Sequence, residues 1–395
     1  MLPPVFTKQL NFRNLMVLAA LARFGFLFIS GKLQTEDYWE YGEIAGQLLA
    51  GHGFSFPFTD AHLNFNPAHF YPTALMPPAY VFFLLPFLLV QDVLIRNLLL
   101  FGIQIFLSLL AIRFTYSFSS EKFGKTAALL ILGFQAFYPE MIFACCTAGP
   151  TIWFHFLFAA FIFSATARKN PILRGLIAGL LVLFRSEAIL LTGLIFAFEF
   201  WKGSRKPVLI SALLLCLTIF PWLLRNQLVF GKPMLSSSVG VNFFRGNNAG
   251  LIGDWPVFSE SSWNAMKSNP DAFEQTLDAS ALSMAVDWVK AEPSKFVLQL
   301  GEKFFRFWVI DFSDSRTHSV FYWLPWLICL PAGIIGIRKM SSGISGPIVL
   351  LFLCYSLVVL IFFPQPRYLS LVKFFWLIPV GLTFSILAKK KQQAF

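Results

Sequence analysis

Residues 172–201 read ILRGLIAGLLVLFRSEAILLTGLIFAFEFW, an apolar run with Arg185 and Glu187 in its middle. A helix that crosses a bilayer needs about 20 mostly apolar residues. This run is too long for one span. A single span would also hold two ionisable groups near the bilayer centre, where they are costly. Its surroundings are basic, with Arg168, Lys169 and Arg174 at one end and Lys202, Arg205 and Lys206 at the other. Short cytoplasmic loops collect Lys and Arg, so both ends face the cytoplasm. The stretch is a hairpin of two tight spans, with Arg185-Ser186-Glu187 turning near the outer surface.

The whole chain has the same character. Of 395 residues, 57% are hydrophobic and 13% charged, and 49 are Phe. A soluble domain averages about 45–50% apolar and about 25% charged. The composition excludes a cytosolic enzyme, a disordered chain and a secreted disulfide scaffold, and implies an all-α polytopic membrane protein. The net charge of +11 does not point to nucleic acid. The basic clusters, among them Arg338-Lys339 and Lys389-Lys390-Lys391, sit at the ends of apolar runs, as cytoplasmic loops require. Cys145, Cys146, Cys216, Cys329 and Cys354 lie in or beside apolar runs and form no C-x-x-C. No disulfide framework or zinc site is expected.

Further spans fall at 14–31, 96–116, 124–145, 150–167, 207–224, 320–337, 346–364 and 368–388. Lys8 and Arg13 place the N-terminus in the cytoplasm. The first run lacks a small-x-small cleavage site and reads as an uncleaved anchor. The stretch 77–90, with Pro77, Pro78 and Pro86, is read as a re-entrant or surface-lying helix, because a span there would turn Arg113, Lys122 and Lys125 outward. The count is ten spans with both termini cytoplasmic, and no convincing internal repeat. The chain divides into a seven-helix module (1–224) that includes a first outer loop (32–95), an outer loop region (225–319), and three C-terminal spans with a basic tail (320–395).

The polar residues collect in the two outer loops. In the first, Tyr38, Tyr41, Ala45, Leu48 and Leu49 recur at helical spacing. They mark an amphipathic helix with Asp37 at its N-terminal end and a glycine stop at Gly51-His52-Gly53. By residue type alone Asp37 is a helix cap, with Glu40 and Glu43 solvated. The second loop is too long for a simple connector. It holds two helices opened by Pro270 and Pro293 at their first positions. His52, His62 and His69 match no metal motif, and His155 is a packing residue within a span. No glycine-rich phosphate loop is present, which disfavours a nucleotide-sugar donor.

Asp37-Tyr38-Trp39-Glu40-Tyr41-Gly42-Glu43-Ile44-Ala45, followed by Leu48 to Phe56, resembles the first outer loop of the GT-C glycosyltransferases. Those include the protein O-mannosyltransferases and the lipid A aminoarabinose transferase. Met76-Pro77-Pro78-Ala79-Tyr80 is similar to their proline-rich juxtamembrane helix. The run from Gly179 to Ala188 resembles their G-L-x-x-L-x-R-x-E-A turn. Pro221-Trp222-Leu223-Leu224-Arg225-Asn226, Phe230-Gly231 and Gly246-Asn247-Asn248 resemble a pattern of bacterial members. The likeness covers most of 14–260 and extends more loosely beyond.

The resemblance implies a GT-C fold with juxtamembrane helices in the first outer loop. It implies an inverting transferase that takes a sugar from a polyprenyl-phosphate donor at the outer face of the cytoplasmic membrane. The acceptor is a lipid, a glycan or a protein. The family's catalytic carboxylate falls on Asp37, a general base for the acceptor hydroxyl. Glu36 and Glu40 are its neighbours and competitors, Asp60 and His62 lesser ones. Arginine suits the departing lipid phosphate, and the candidates are Arg185 with Glu187, Arg225, Arg245 beside Asn247, and Arg367. Each has a plainer reading: Arg185 as a snorkelling partner of Glu187, Arg225 and Arg367 as interfacial anchors. Many relatives carry a second acidic residue where this chain has Thr151, with Glu140 nearby but outside that pattern. This counts against a metal-dependent mechanism. No cofactor is expected, and a divalent metal has no support. The rival readings are a transporter or flippase for a lipid-linked substrate, and a non-catalytic scaffold of the same fold.

Overall fold

The computed structural model describes residues 11–59 and 65–393. In chain order it builds α1 (Phe12–Ile29), a 3-10 turn (Lys32–Gln34), α2 (Trp39–Leu49), β1 (Ser55–Thr59), β2 (Phe65–Pro72), α3 (Pro78–Leu88) and α4 (Val93–Phe123). Next come α5 (Lys125–Phe137), α6 (Pro139–Cys145), α7 (Thr151–Phe163), α8 (Ala165–Lys169), α9 (Pro171–Phe184), α10 (Ala188–Trp201) and α11 (Arg205–Phe230). The second loop carries α12 (Val239–Gly246), α13 (Glu260–Lys267), α14 (Pro270–Ala291) and α15 (Pro293–Trp308). The chain continues through α16 (Val320–Ile337), α17 (Ser342–Ile361) and α18 (Pro366–Gln393).

Among the described residues, six helices are long and apolar enough to cross a membrane: α1, α4, α11, α16, α17 and α18. The pair α5–α6 is apolar and long enough only when taken together, and it is bent by 58°. The kink falls at Pro139, which cannot donate into the preceding turn. Helices α7, α9 and α10 stand where the remaining spans were expected, but they run only 13, 14 and 14 residues. At 1.5 Å per residue each is about 20 Å long, short of the ~30 Å hydrocarbon core. The 172–201 run breaks where the charges predicted: α9 ends at Phe184, Arg185 is extended, and α10 starts at Ala188. The 77–90 stretch forms only the 11-residue α3.

Two close approaches set the packing. A Cβ on Gly175 would lie 2.4 Å from the Ser211 carbonyl oxygen, and one on Gly179 2.4 Å from the Thr218 Cβ. This small-xxx-small face lets α9 and α11 touch backbone to backbone. Helix α18 is the central element, largely buried between α5 and α16.

The first loop differs from an all-helical reading. Strands β1 and β2 form a two-stranded antiparallel sheet, with Ser55 opposite Pro72 and a register shift at Pro57/Phe58. The alternation Phe54-Ser55-Phe56-Pro57-Phe58 has a strand's period of two. The buried face of α2 is also turned slightly from expectation, onto Tyr41, Ile44, Ala45 and Gln47, while Leu49 is exposed. As expected, α14 and α15 open with Pro270 and Pro293.

Candidate active site

The segment before α2 is pinned by one buried residue of α4. Asn97 accepts a hydrogen bond from the Tyr38 hydroxyl at 2.8 Å. Its amide donates to the carbonyls of Lys32, Leu33 and Thr35 at 3.3, 3.1 and 2.7 Å. Gly42 makes room for Tyr38, since a Cβ there would lie 2.7 Å from the Tyr38 Cβ. The chain then turns through Trp39 at φ +55°, a left-handed conformation costly for a bulky residue.

This turn presents the acidic candidates. Asp37 is exposed. Its amide donates to Thr35 Oγ1 at 3.2 Å, and its Oδ1 accepts from the Trp39 amide at 3.1 Å. It stands one residue ahead of the helix boundary at Tyr38, so it braces the turn rather than capping α2. Glu36 is exposed and pairs with Arg96 at 3.7 Å. Glu40 points inward, and its Oε2 is buried without a hydrogen-bond partner.

The structure gathers three of the four nominated arginines around that inward face. Arg185 is buried, donates to Glu187 Oε1 at 2.7 Å and stacks over Tyr368 at 5.2 Å. Arg367 is exposed and lies 5.9 Å over the same ring. Arg245 donates to the Gly253 carbonyl at 3.0 Å and is sandwiched by Trp255 and Phe363 at 4.4 and 4.3 Å. The charges of Arg367 and Glu40 both act on Arg245. Burial, then the repulsion of Arg367, pushes its guanidinium down to about 10, with Tyr368, Glu40 and Asp254 opposing. It stays charged at neutral pH. The Arg185 and Arg367 charges also act on Tyr41 of α2, whose hydroxyl burial pushes up to about 12. Arg185, Arg245 and Arg367 thus lie among Glu40, Glu187 and Asp254, and guanidiniums are the donors that suit a phosphate.

Asn247 has another place. It is fully buried, its amide donates to the carbonyls of Phe243 and Ile361 at 2.7 and 2.9 Å, and its Oδ1 accepts from Lys303 at 2.8 Å. It latches α12 and α15 to the end of α17, one residue from Arg245's neighbour Gly246. Arg225 also stands apart. It donates to the carbonyls of Thr73 and Phe54, each at 2.8 Å. Buried Glu274 of α14 holds the same strand end, accepting from Thr73 Oγ1 at 2.7 Å and the Ala74 amide at 2.8 Å. Burial pushes its carboxyl up to about 7, against the pull of those hydrogen bonds and Arg225.

Thr151 opens α7, and Glu140 opens α6 in an ion pair with Lys373 of α18 at 2.5 Å. Lys373 and Arg23 are buried charges within spans, which the sequence reading did not weigh. Arg23 donates to the carbonyls of Ala19, Ala136 and Gln135 and to Ser108 Oγ, so both are tied into helix packing. His52 hydrogen-bonds Gln47 at 2.7 Å and stacks on Phe70. His155 meets the Ser370 carbonyl at 3.0 Å. Asp60 and His62 lie outside the described residues. Among the described residues no three His, Cys, Asp or Glu converge.

Asn97, Glu274 and Lys303 were missed from sequence. Asn97 alone carried a signal, as an amide inside an apolar run.

No family model matches the chain, and neither does any curated protein. Solved structures do match. An Archaeoglobus fulgidus oligosaccharyltransferase tethered to an acceptor peptide containing the NVT sequon is 15% identical, with a TM-score of 0.55 over 95% of this chain and 49% of that one. The archaeal oligosaccharyltransferase AglB from the same organism, with an inhibitory peptide and a dolichol-phosphate, is 13% identical, with a TM-score of 0.52 over 97% and 51%. ArnT from Cupriavidus metallidurans, bound to undecaprenyl phosphate, is 13% identical, with a TM-score of 0.41 over 96% and 79%. The chain spans about half the length of the oligosaccharyltransferase structures it matches. The fold is the GT-C fold that the sequence resemblance implied.

Proposed function

We propose that this protein is a membrane glycosyltransferase that moves a sugar, hexose or pentose, from a polyprenyl-phosphate carrier to an envelope lipid, glycan or protein. The observation that carries this reading is the meeting of Arg185 and Arg367 on Tyr368, with Arg245 and Glu40 beside them and Asp37 three residues ahead of Glu40 in the chain. The GT-C fold and the dolichol-phosphate held by its archaeal neighbour support it. The active site lies on the extracytoplasmic face of the inner membrane, with both termini cytoplasmic. The 1–224 module supplies Asp37 and Arg185, and the later regions supply Arg245 and Arg367.

Asp37 acts as general base. It takes the acceptor hydroxyl's proton while the acceptor oxygen bonds to the anomeric carbon from the face opposite the phosphate. The carbon–oxygen bond to the carrier phosphate breaks, the phosphate leaves with the electron pair, and the configuration inverts. The three guanidiniums hold the charge that develops on the leaving oxygen. Glu187 orients Arg185. The unpartnered Glu40 Oε2 accepts from a sugar hydroxyl.

The test is turnover of a panel of polyprenyl-phosphate sugars by the full-length protein in detergent, with membrane extract as acceptor source. Asp37→Asn keeps an oxygen for the Trp39 amide, so the turn survives. Loss of a general base lowers turnover by about 100-fold or more. An active wild type matched by Asp37→Asn puts the base elsewhere, with Glu40 and Glu36 next. A wild type that binds donors and releases no carrier phosphate overturns the transferase reading.

A further inference from the structure

Helix α15 divides its residues among three faces. Toward the protein it turns Gln299, Lys303 and Phe307. Lys303 and Phe307 are buried, and the Gln299 amide donates to the Asn248 carbonyl at 3.0 Å. A second face carries Val297, Leu298, Phe304 and Phe305, exposed by 46–74%. These positions form one stripe of a helix with 3.6 residues per turn. Beside the stripe runs a polar edge of Lys295, Glu302 and Arg306. Arg306 pairs with Glu302 one turn back and with Asp311 at 3.6 Å. A helix bathed in water gains nothing from the second face, and one immersed in lipid pays for the third. The three together suit a helix that lies at a membrane–water boundary.

The height of the stripe is set by α17, a spanning helix. Lys303 Nζ donates to the Leu360 carbonyl at 2.9 Å, and Trp308 Nε1 to Ser356 Oγ at 2.9 Å. Progress along α15 therefore runs backward along α17, so α15 descends beside the last turns of the span. Phe304 and Phe305 stand level with residues 356–360. On α17 itself Leu353, Leu357 and Ile361 are exposed at four-residue spacing, the stripe that a span turns to lipid. The apolar face of α15 stands at the height where that stripe ends.

We infer that α15 is seated in the lipid monolayer beneath the second loop. Val297, Leu298, Phe304 and Phe305 enter the boundary between headgroups and acyl chains, and Lys295, Glu302 and Arg306 stay in water. A second copy of the chain fits this face less well. Four half-exposed side chains fall short of the roughly 800 Å2 that a stable protein contact takes from each partner. Because Gln299 and Lys303 hold Asn248 and Asn247, the seat fixes the height of residues 247–254 at the membrane. It needs no reaction at the arginines.

The experiment is spin-label accessibility in the full-length protein in phosphatidylglycerol–phosphatidylcholine nanodiscs. Cys216 is the exposed native thiol, so the background is Cys216→Ser. Labels are placed singly by Lys295→Cys, Val297→Cys, Leu298→Cys, Glu302→Cys, Phe304→Cys and Phe305→Cys. Collisions with oxygen, which concentrates in lipid, should dominate at 297, 298, 304 and 305. Collisions with a water-soluble nickel chelate should dominate at 295 and 302. Nickel dominance at all six positions puts the face in water and overturns the seat. Exclusion of both reagents from the apolar face, with dipolar broadening between labels, assigns it to a second copy and equally overturns it. A second readout is hydrogen exchange in Leu298→Gln/Phe305→Gln. The amides of Asn247 and Gly253, bonded to the Phe244 and Arg245 carbonyls at 2.9 and 2.7 Å, should exchange faster while α16 to α18 stay protected. Unchanged exchange there refutes the hold of the seat on residues 247–254.

Discussion

The Tyr38 hydroxyl donates to Asn97 Oδ1 at 2.8 Å across 59 residues of chain, and both side chains are buried. This bond, with the three carbonyls that the Asn97 amide caps, decides how the acidic turn at 36–40 is presented. Asn97→Leu orphans the buried Tyr38 hydroxyl, at a cost of about 1–3 kcal/mol. Hydrogen exchange over 32–38 rises, and turnover falls by more than the lost stability explains. Asn97→Asp still accepts from Tyr38 but cannot donate to the carbonyls, so exchange rises at 32–35 first. Unchanged exchange in both variants refutes the pinning role.

Gly246 is the point where α12 packs closest on the end of α17. A Cβ there would lie 1.7 Å from the Phe362 carbonyl oxygen, and that backbone has to move. Gly246→Ala therefore pushes α12 off the end of α17 and strains the Asn247 bonds to Ile361 and Lys303. Apparent donor affinity should drop with Arg245 still present, read by binding of a polyprenyl phosphate. Wild-type affinity in a folded Gly246→Ala protein contradicts this.

Glu274 makes the clasp between the two loops sensitive to pH. Burial raises its folded pKa from 4.5 to about 7. A raised carboxyl binds its proton more tightly when folded. Its contribution to stability is therefore full below about pH 4.5 and lost as pH rises to about 7. The wild-type Tm should fall across that window relative to Glu274→Gln, which has no proton to lose there. Parallel Tm curves for the two proteins exclude Glu274 as the source.

The Glu140–Lys373 pair is buried where water cannot compensate a lone charge. Removing one partner of such a pair costs about 3–5 kcal/mol. Lys373→Met alone should reduce folded yield and Tm sharply, and Lys373→Met with Glu140→Gln should recover most of the loss. A double variant as weak as the single one means that the cation contacts of Lys373 with Tyr322 and Trp326, not the pair, hold α18.

Much of the architecture was legible because hydrophobic length and basic flanks are local properties. The break at Arg185–Glu187, the failure of 77–90 to form a long helix and the proline-opened helices of the second loop all follow from residues near each event in the chain. Strand β1 is written in the alternating Phe54, Phe56 and Phe58, but its partner β2 follows only from the pairing in three dimensions. The four arginines were legible only as a set of interfacial cations. Nothing in their spacing separates Arg225 from the other three.

Sequence alone determined a polytopic helical membrane protein, because apolar length and charge flanks are written into contiguous residues. Tertiary structure alone decided which polar residues meet. Asn97 reaches back 59 positions to Tyr38, Glu274 reaches 201 positions to Thr73, and Arg185 and Tyr368 share one face. Such pairings depend on how helices far apart in the chain pack, through close contacts such as Gly175 on Ser211. No local period or composition encodes them.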